Sequence, residues 1–179
     1  MSTAPKFNLP TVLTFSRIFL IPFFILITPG NPYWGITIFL IASLTDFLDG
    51  YLARRSGQIT KFGIILDPIA DKFLVISALI LLVDMARLSA WIAIIIIVRE
   101  FVVTALRVVA LSKDIVIPSE TGGKLKTAAQ MTSIILILLP GGIGDLDFYD
   151  VGLVLMYAAL VLAIVSGVRH TISFWKRIQ

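Results

Sequence analysis

Apolar stretches about as long as a bilayer is thick recur evenly along this chain, near 10–29, 34–54, 64–84, 88–111, 126–140 and 150–170. A helix needs about 20 mainly apolar residues to cross the hydrocarbon core. Inside lipid no water is available to satisfy a backbone amide, so segments of this kind must form helices. The expected fold class is therefore all-α, a polytopic membrane protein with six transmembrane helices. The breaks carry turn chemistry: Pro29-Gly30-Asn31-Pro32, Ser56-Gly57-Gln58, Arg87-Leu88-Ser89, Pro118 with Gly122-Gly123, and Pro140-Gly141-Gly142. The fifth segment is the shortest, Thr127 to Leu139, and by length alone it is also compatible with a buried or re-entrant helix.

Composition agrees with lipid as the solvent, since 58% of the 179 residues are hydrophobic against roughly 45–50% in soluble domains. The apolar segments leave no room for a linker, so residues 1–179 read as a single domain. There is no cysteine, which excludes a disulfide framework and a thiolate metal site. The net charge of +4 is explained by placement. Lys6 and Arg17, then Arg54, Arg55, Lys61 and Lys72, then Arg107, Lys113, Lys124 and Lys126, and finally Arg169, Lys176 and Arg177 all belong to one face. The opposite connections hold Asp84 and Arg87, then Asp145, Asp147 and Asp150. By the positive-inside rule both termini are expected in the cytoplasm. The basic balance needs no DNA or RNA, and no nucleic-acid module occurs in the chain. The apolar run from Phe19 to Ile27 follows two basic residues as a signal peptide would, but Thr28-Pro29-Gly30 offers no small-residue cleavage site, so it is expected to remain as the first span. The single histidine, His170, sits by the C-terminal basic cluster and reads as interfacial.

Four aspartates stand where a membrane protein tolerates them least. Asp46 and Asp49 are three apart near the end of the second segment; Asp67 and Asp71 are four apart near the start of the third. On a helix each spacing puts the pair on one face. The second segment ends inside and the third begins inside, so the pairs are expected to meet across a helical hairpin near the cytoplasmic boundary. An acidic side chain costs about 2.5–3.5 kcal/mol at the bilayer centre on insertion scales, and clustering adds repulsion. Arg54, Arg55 and Lys61 are nearby but supply no compact counter-charge inside the hairpin. Hard divalent cations favour oxygen ligands, and two of them would neutralise four carboxylates. A proton or cation pathway is the alternative use of such aspartates. Gly50, Ala53 and Gly63 sit on the same faces, where small residues admit a flat ligand or let helices pack closely. Arg54 stands where a diphosphate could receive a planar, forked contact, or where a membrane anchor would.

The order Asp46-x2-Asp49-Gly50-x2-Ala53-Arg54-x8-Gly63-x3-Asp67-x3-Asp71 resembles, at every position and gap, the signature of the CDP-alcohol phosphatidyltransferases. The resemblance implies a multi-pass enzyme of the bacterial cytoplasmic membrane, often a homodimer, with its site open to the cytoplasm and CDP-diacylglycerol as donor. It implies that Asp46, Asp49 and Asp67 ligate two divalent ions, Mg2+ or Mn2+, and that Asp71 is both ligand and general base. Asp49, Gly50, Ala53, Arg54 and Gly63 would then bind the CDP moiety.

Outside the signature, the start Asn8-Leu9-Pro10-Thr11-x2-Thr14-x2-Arg17, the pair Arg99-Glu100, and the run Gly123-Lys124-x-Lys126-Thr127-x2-Gln130 resemble the bacterial branch of that family that makes phosphatidylglycerophosphate. This implies glycerol 3-phosphate as acceptor. Arg99 and Arg107 are eight apart on one helix face, and Lys124 and Lys126 begin the next span; a phosphorylated acceptor needs such cations. Arg107, Lys124, Lys126 and Arg99 are thus the candidate acceptor-phosphate residues, though Arg107 and Lys124 also suit membrane anchoring and Arg99 suits an acidic partner. A relative using inositol phosphate, serine or a lipid acceptor, and a small cation transporter built on the aspartates, are the competing readings. The last span adds little to the resemblance.

Overall fold

The turn chemistry between the first two apolar segments acts as a helix stop and start. In the computed structural model, which describes residues 9–56, 61–112 and 121–178, with side chains described for 16–45, 72–106, 108–110 and 125–175, helix α1 runs Leu9–Ile27 and α2 runs Pro32–Ser56. Pro32 occupies the first helical position, where its missing N–H costs nothing. Asn31 caps the helix, its side-chain oxygen accepting from the Trp34 amide at 3.3 Å. The two helices close on fully buried Phe24 and Phe39, whose rings lie 5.6 Å apart. Gly35 permits this approach, because a Cβ there would collide with the Thr28 side chain. Helix α3 follows as Lys61–Asp84. These elements, to Leu81, make one compact unit.

The second unit, Leu82–Gln179, begins with the end of α3. The Ala86 amide donates to the Val83 carbonyl at 3.0 Å and the Arg87 amide to the Leu82 carbonyl at 2.8 Å, a Schellman cap with Ala86 at φ 55° in the position that glycine usually fills. Helix α4 spans Ala90–Ser112 and α5 Thr121–Leu138. Gly122 and Gly123, expected within a break, lie instead in the first turn of α5, where amides have no intrahelical partner in any case. Strands β1 (Gly142–Ile143) and β2 (Leu146–Asp147) pair antiparallel. Gly144, at φ 61°, opens their two-residue loop as a type II′ turn demands. Asp147 then caps α6, Phe148–Ile178, accepting from the Tyr149 amide at 2.9 Å.

Helix α6 exposes large apolar side chains on one side and buries mostly small or polar residues, with Met156 and Phe174, on the other. The most apolar 18-residue window within its 148–175 stretch has a mean hydropathy of 2.5, and only a third of that window is buried. Val154, Val161, Val168 and Trp175, seven residues apart in turn, are all exposed, while Met156, Ala159, Ala163, Ser166 and Phe174 are buried. His170 is buried on that inner face rather than displayed at an interface. Against α5 the approach is closest at Gly152: a Cβ there would lie 2.8 Å from both the backbone nitrogen and Cγ1 of Ile137. The Ser133 hydroxyl donates to the Gly152 carbonyl at 2.6 Å. Small residues at the contact and large apolar ones outside are the arrangement that lipid favours, since between apolar helices in lipid it is close packing, not the hydrophobic effect, that drives association.

Candidate functional site

The backbone through Asp46 and Asp49 is helical within α2, and that through Asp67 and Asp71 is helical within α3. The three- and four-residue spacings therefore place each carboxylate pair on one helix face. Gly50, Ala53 and Arg54 continue α2 beyond Asp49, and Gly63 lies in the first turn of α3. The side chains of all these residues, and those of Arg107 and Lys124, lie outside the described residues. No other group of His, Asp or Glu suited to a metal occurs among those described.

Two of the described cations, Arg99 and Lys126, converge on one carboxylate. Glu100 Oε1 accepts from Arg99 Nη1 at 3.0 Å and is ion-paired with the Lys126 ammonium, joining α4 to α5. The Arg99 guanidinium also bonds α6: Nε donates to the Ala163 carbonyl at 2.8 Å and Nη2 to the Ser166 hydroxyl at 2.9 Å. Gly167 leaves room for the arginine stem, since a Cβ there would sit 3.2 Å from Arg99 Cγ. The side chains of Arg99, Glu100 and Lys126 are only 13%, 16% and 4% exposed. A buried charge is tolerated when paired and fully hydrogen-bonded, and here two cations and one anion are held across three helices.

Of the four acceptor candidates, the structure thus brings Arg99 and Lys126 together, with Glu100 as the link. The sequence reading missed Ser166 and the Ala163 carbonyl, which give the last helix a part in this cluster. The available signal was the Ser166-Gly167 pair interrupting a run of Val, Ile, Leu and Ala. One turn beyond Lys126 on α5, Gln130 is 3% exposed and its Nε2 has no hydrogen-bond partner.

A family model described as CDP-alcohol phosphatidyltransferase matches residues 7–165. Among curated proteins, the chain is 38% identical to a Bacillus subtilis (strain 168) protein over 97% of its own length and 98% of that protein's. It is 40% identical to one from Haemophilus influenzae, covering 92% of each, and 37% identical to one from Escherichia coli (strain K12), covering 97% of this chain and 93% of that one. All three carry the name CDP-diacylglycerol–glycerol-3-phosphate 3-phosphatidyltransferase.

Proposed function

Because the chain belongs to the CDP-alcohol phosphatidyltransferase family, we propose that it transfers the phosphatidyl group of CDP-diacylglycerol to glycerol 3-phosphate, giving phosphatidylglycerophosphate and CMP. The observation that carries this reading is the near full-length similarity to bacterial enzymes named for that donor and acceptor. The protein is a membrane enzyme of anionic phospholipid synthesis. Six spanning helices with both termini cytoplasmic, arranged as one catalytic domain in a homodimer of the bacterial cytoplasmic membrane, fit six helices of 18–31 residues, the outward-facing apolar surface of α6 and the distribution of lysine and arginine.

Members of the family use divalent metal ions. The donor set of this chain fits them: four carboxylates in two helical pairs, with no thiol to select a softer metal. Asp46, Asp49, Asp67 and Asp71 are the residues that would hold two such ions, Mg2+ or Mn2+. Bound there, the ions would supply Lewis-acid chemistry, offsetting the charge of the diphosphate and the charge that develops on the reacting oxygens.

The acyl chains of the donor stay in lipid. Asp49, Gly50, Ala53 and Gly63 shape the seat of the CDP moiety, and the Arg54 fork contacts its diphosphate. Arg107, Lys124 and Lys126 hold the acceptor phosphate. Arg99 supports that pocket from behind, fixing Glu100, which in turn fixes Lys126. Asp71 takes the proton of the sn-1 hydroxyl, whose oxygen attacks the β-phosphorus in line. The new O–P bond forms as the bond to CMP breaks, and no covalent enzyme intermediate is needed.

The test is CMP release by the purified protein in detergent with CDP-diacylglycerol, Mg2+ and glycerol 3-phosphate, beside Asp67→Ala and Asp71→Asn. Release that needs glycerol 3-phosphate and vanishes in both folded variants is the expected result. Release with a different acceptor alone would refute the substrate. Substantial turnover by Asp71→Asn would remove that residue from the role of base.

A further inference from the structure

Gln130 is the one described residue whose side chain is both buried and left with an unpaired donor that no other contact explains. Its neighbours along the same face of α5 are committed elsewhere: Lys126, one turn before, pairs with Glu100, and the Ser133 hydroxyl, one turn after, donates to the Gly152 carbonyl. Gln130 is 3% exposed, and its Nε2 has no hydrogen-bond acceptor within the protein. A buried amide without a partner is a cost that folded proteins rarely carry. A ligand that supplies the missing acceptor recovers it.

The chemistry of the group says what that ligand presents. A primary amide is neutral and both donates and accepts, which matches a hydroxyl; a phosphate is better met by the cations already assigned to it. Four residues of helix raise Gln130 about 6 Å beyond Lys126 along α5, within reach of a three-carbon chain whose phosphate lies at the level of Lys126. Resting on the acceptor reading above, we propose that the Gln130 amide binds the secondary hydroxyl of glycerol 3-phosphate, the hydroxyl that does not attack. Gln130 is then a specificity residue for a polyol phosphate.

Steady-state CMP release by the full chain tests this with two acceptors, glycerol 3-phosphate and 3-hydroxypropyl phosphate, which keeps the phosphate and the nucleophilic hydroxyl but lacks the secondary one. The wild type prefers glycerol 3-phosphate by about tenfold in kcat/KM, the scale of one hydrogen bond left unmade. In Gln130→Met, close in size but without the amide, that preference falls to near one. The KM for glycerol 3-phosphate rises about tenfold, kcat holds, and the KM for the analogue does not change. Thermal stability does not fall, since the substitution removes an unpaired buried donor. A variant that keeps the wild-type preference, or a wild type indifferent to the missing hydroxyl, overturns the proposal. Should Gln130→Met not be recovered folded, Gln130→Asn, which withdraws the amide by one carbon, is read in the same way: lost preference supports the proposal and retained preference overturns it. A wild type whose release does not depend on glycerol 3-phosphate refutes the acceptor reading and this inference with it. A glycerol-3-phosphate-dependent wild type with an unaltered variant refutes this inference alone.

Discussion

Replacing Glu100 by glutamine removes one negative charge from a cluster that holds two positive ones, while keeping the shape of the side chain and one acceptor oxygen. In the wild type Glu100 serves both Arg99 and Lys126. After the change the guanidinium keeps the Ala163 carbonyl and the Ser166 hydroxyl, but Lys126, at 4% side-chain exposure, loses the charge of this carboxylate. Stripping the partner from a fully buried ion costs about 3–5 kcal/mol. Glu100 is 16% exposed and the amide oxygen still accepts one hydrogen bond, so the expected loss is smaller, about 2 kcal/mol. For a chain of this length that lowers the melting temperature by about 4–8 °C, measured by heating the purified protein in detergent. The double variant Glu100→Leu with Lys126→Leu removes charge from both sides and leaves only Arg99, the more exposed cation. It recovers part of the loss, because well-packed apolar groups replace a buried pair at little cost. A Glu100→Gln protein that melts within about 1 °C of wild type, or a double variant as unstable as the two single losses added, would refute the assignment of a buried charge cluster.

Gly152→Ala destabilises the α5–α6 contact by about 1 kcal/mol or more despite the better helix propensity of alanine, because the added carbon meets the Ile137 backbone, which cannot swing aside. Gly167→Ala is the control: its Cβ meets the flexible stem of Arg99 at 3.2 Å, and a melting temperature that falls as far as that of Gly152→Ala would contradict this distinction. Ala86→Gly relieves a left-handed backbone at φ 55° and raises stability by about 1 kcal/mol, seen as a gain of about 2–4 °C; an unchanged or lower melting temperature would count against the strain at Ala86.

The helices were legible because their cause is local. Segment length and apolar content mark where a chain must satisfy its own backbone, and Pro32, Asn31 and the Gly144 turn act on immediate neighbours. The positions of α1 to α4 follow within a few residues. Helix α6 runs further than expected, to Ile178, because the ordinary helix formers after His170 offer no stop signal. The hairpin of Gly142–Asp147 was hidden inside a loop, since two-residue strands leave no alternation to detect. The aspartate spacing was legible for the same local reason as the helices: three and four residues close one turn.

Which cation meets which anion was a different kind of question. Arg99 and Lys126 each carry the charge that a phosphate pocket needs, and nothing in their spacing reveals that Glu100 stands between them, 26 residues from Lys126 in sequence, or that Ser166 and the Ala163 carbonyl complete the coordination of Arg99. Sequence gives the sign of a charge; packing decides whether that charge is spent on the fold or reserved for a ligand. In this chain the two uses meet on α5. Lys126 is tied to α4 through Glu100, whereas Gln130, a neutral side chain that charge counting passes over, carries the unmet hydrogen-bond donor one turn further on. The proposed acceptor selectivity therefore draws on both kinds of residue: Lys126, positioned by Glu100, faces the phosphate, and the buried Gln130 amide supplies a donor suited to a hydroxyl.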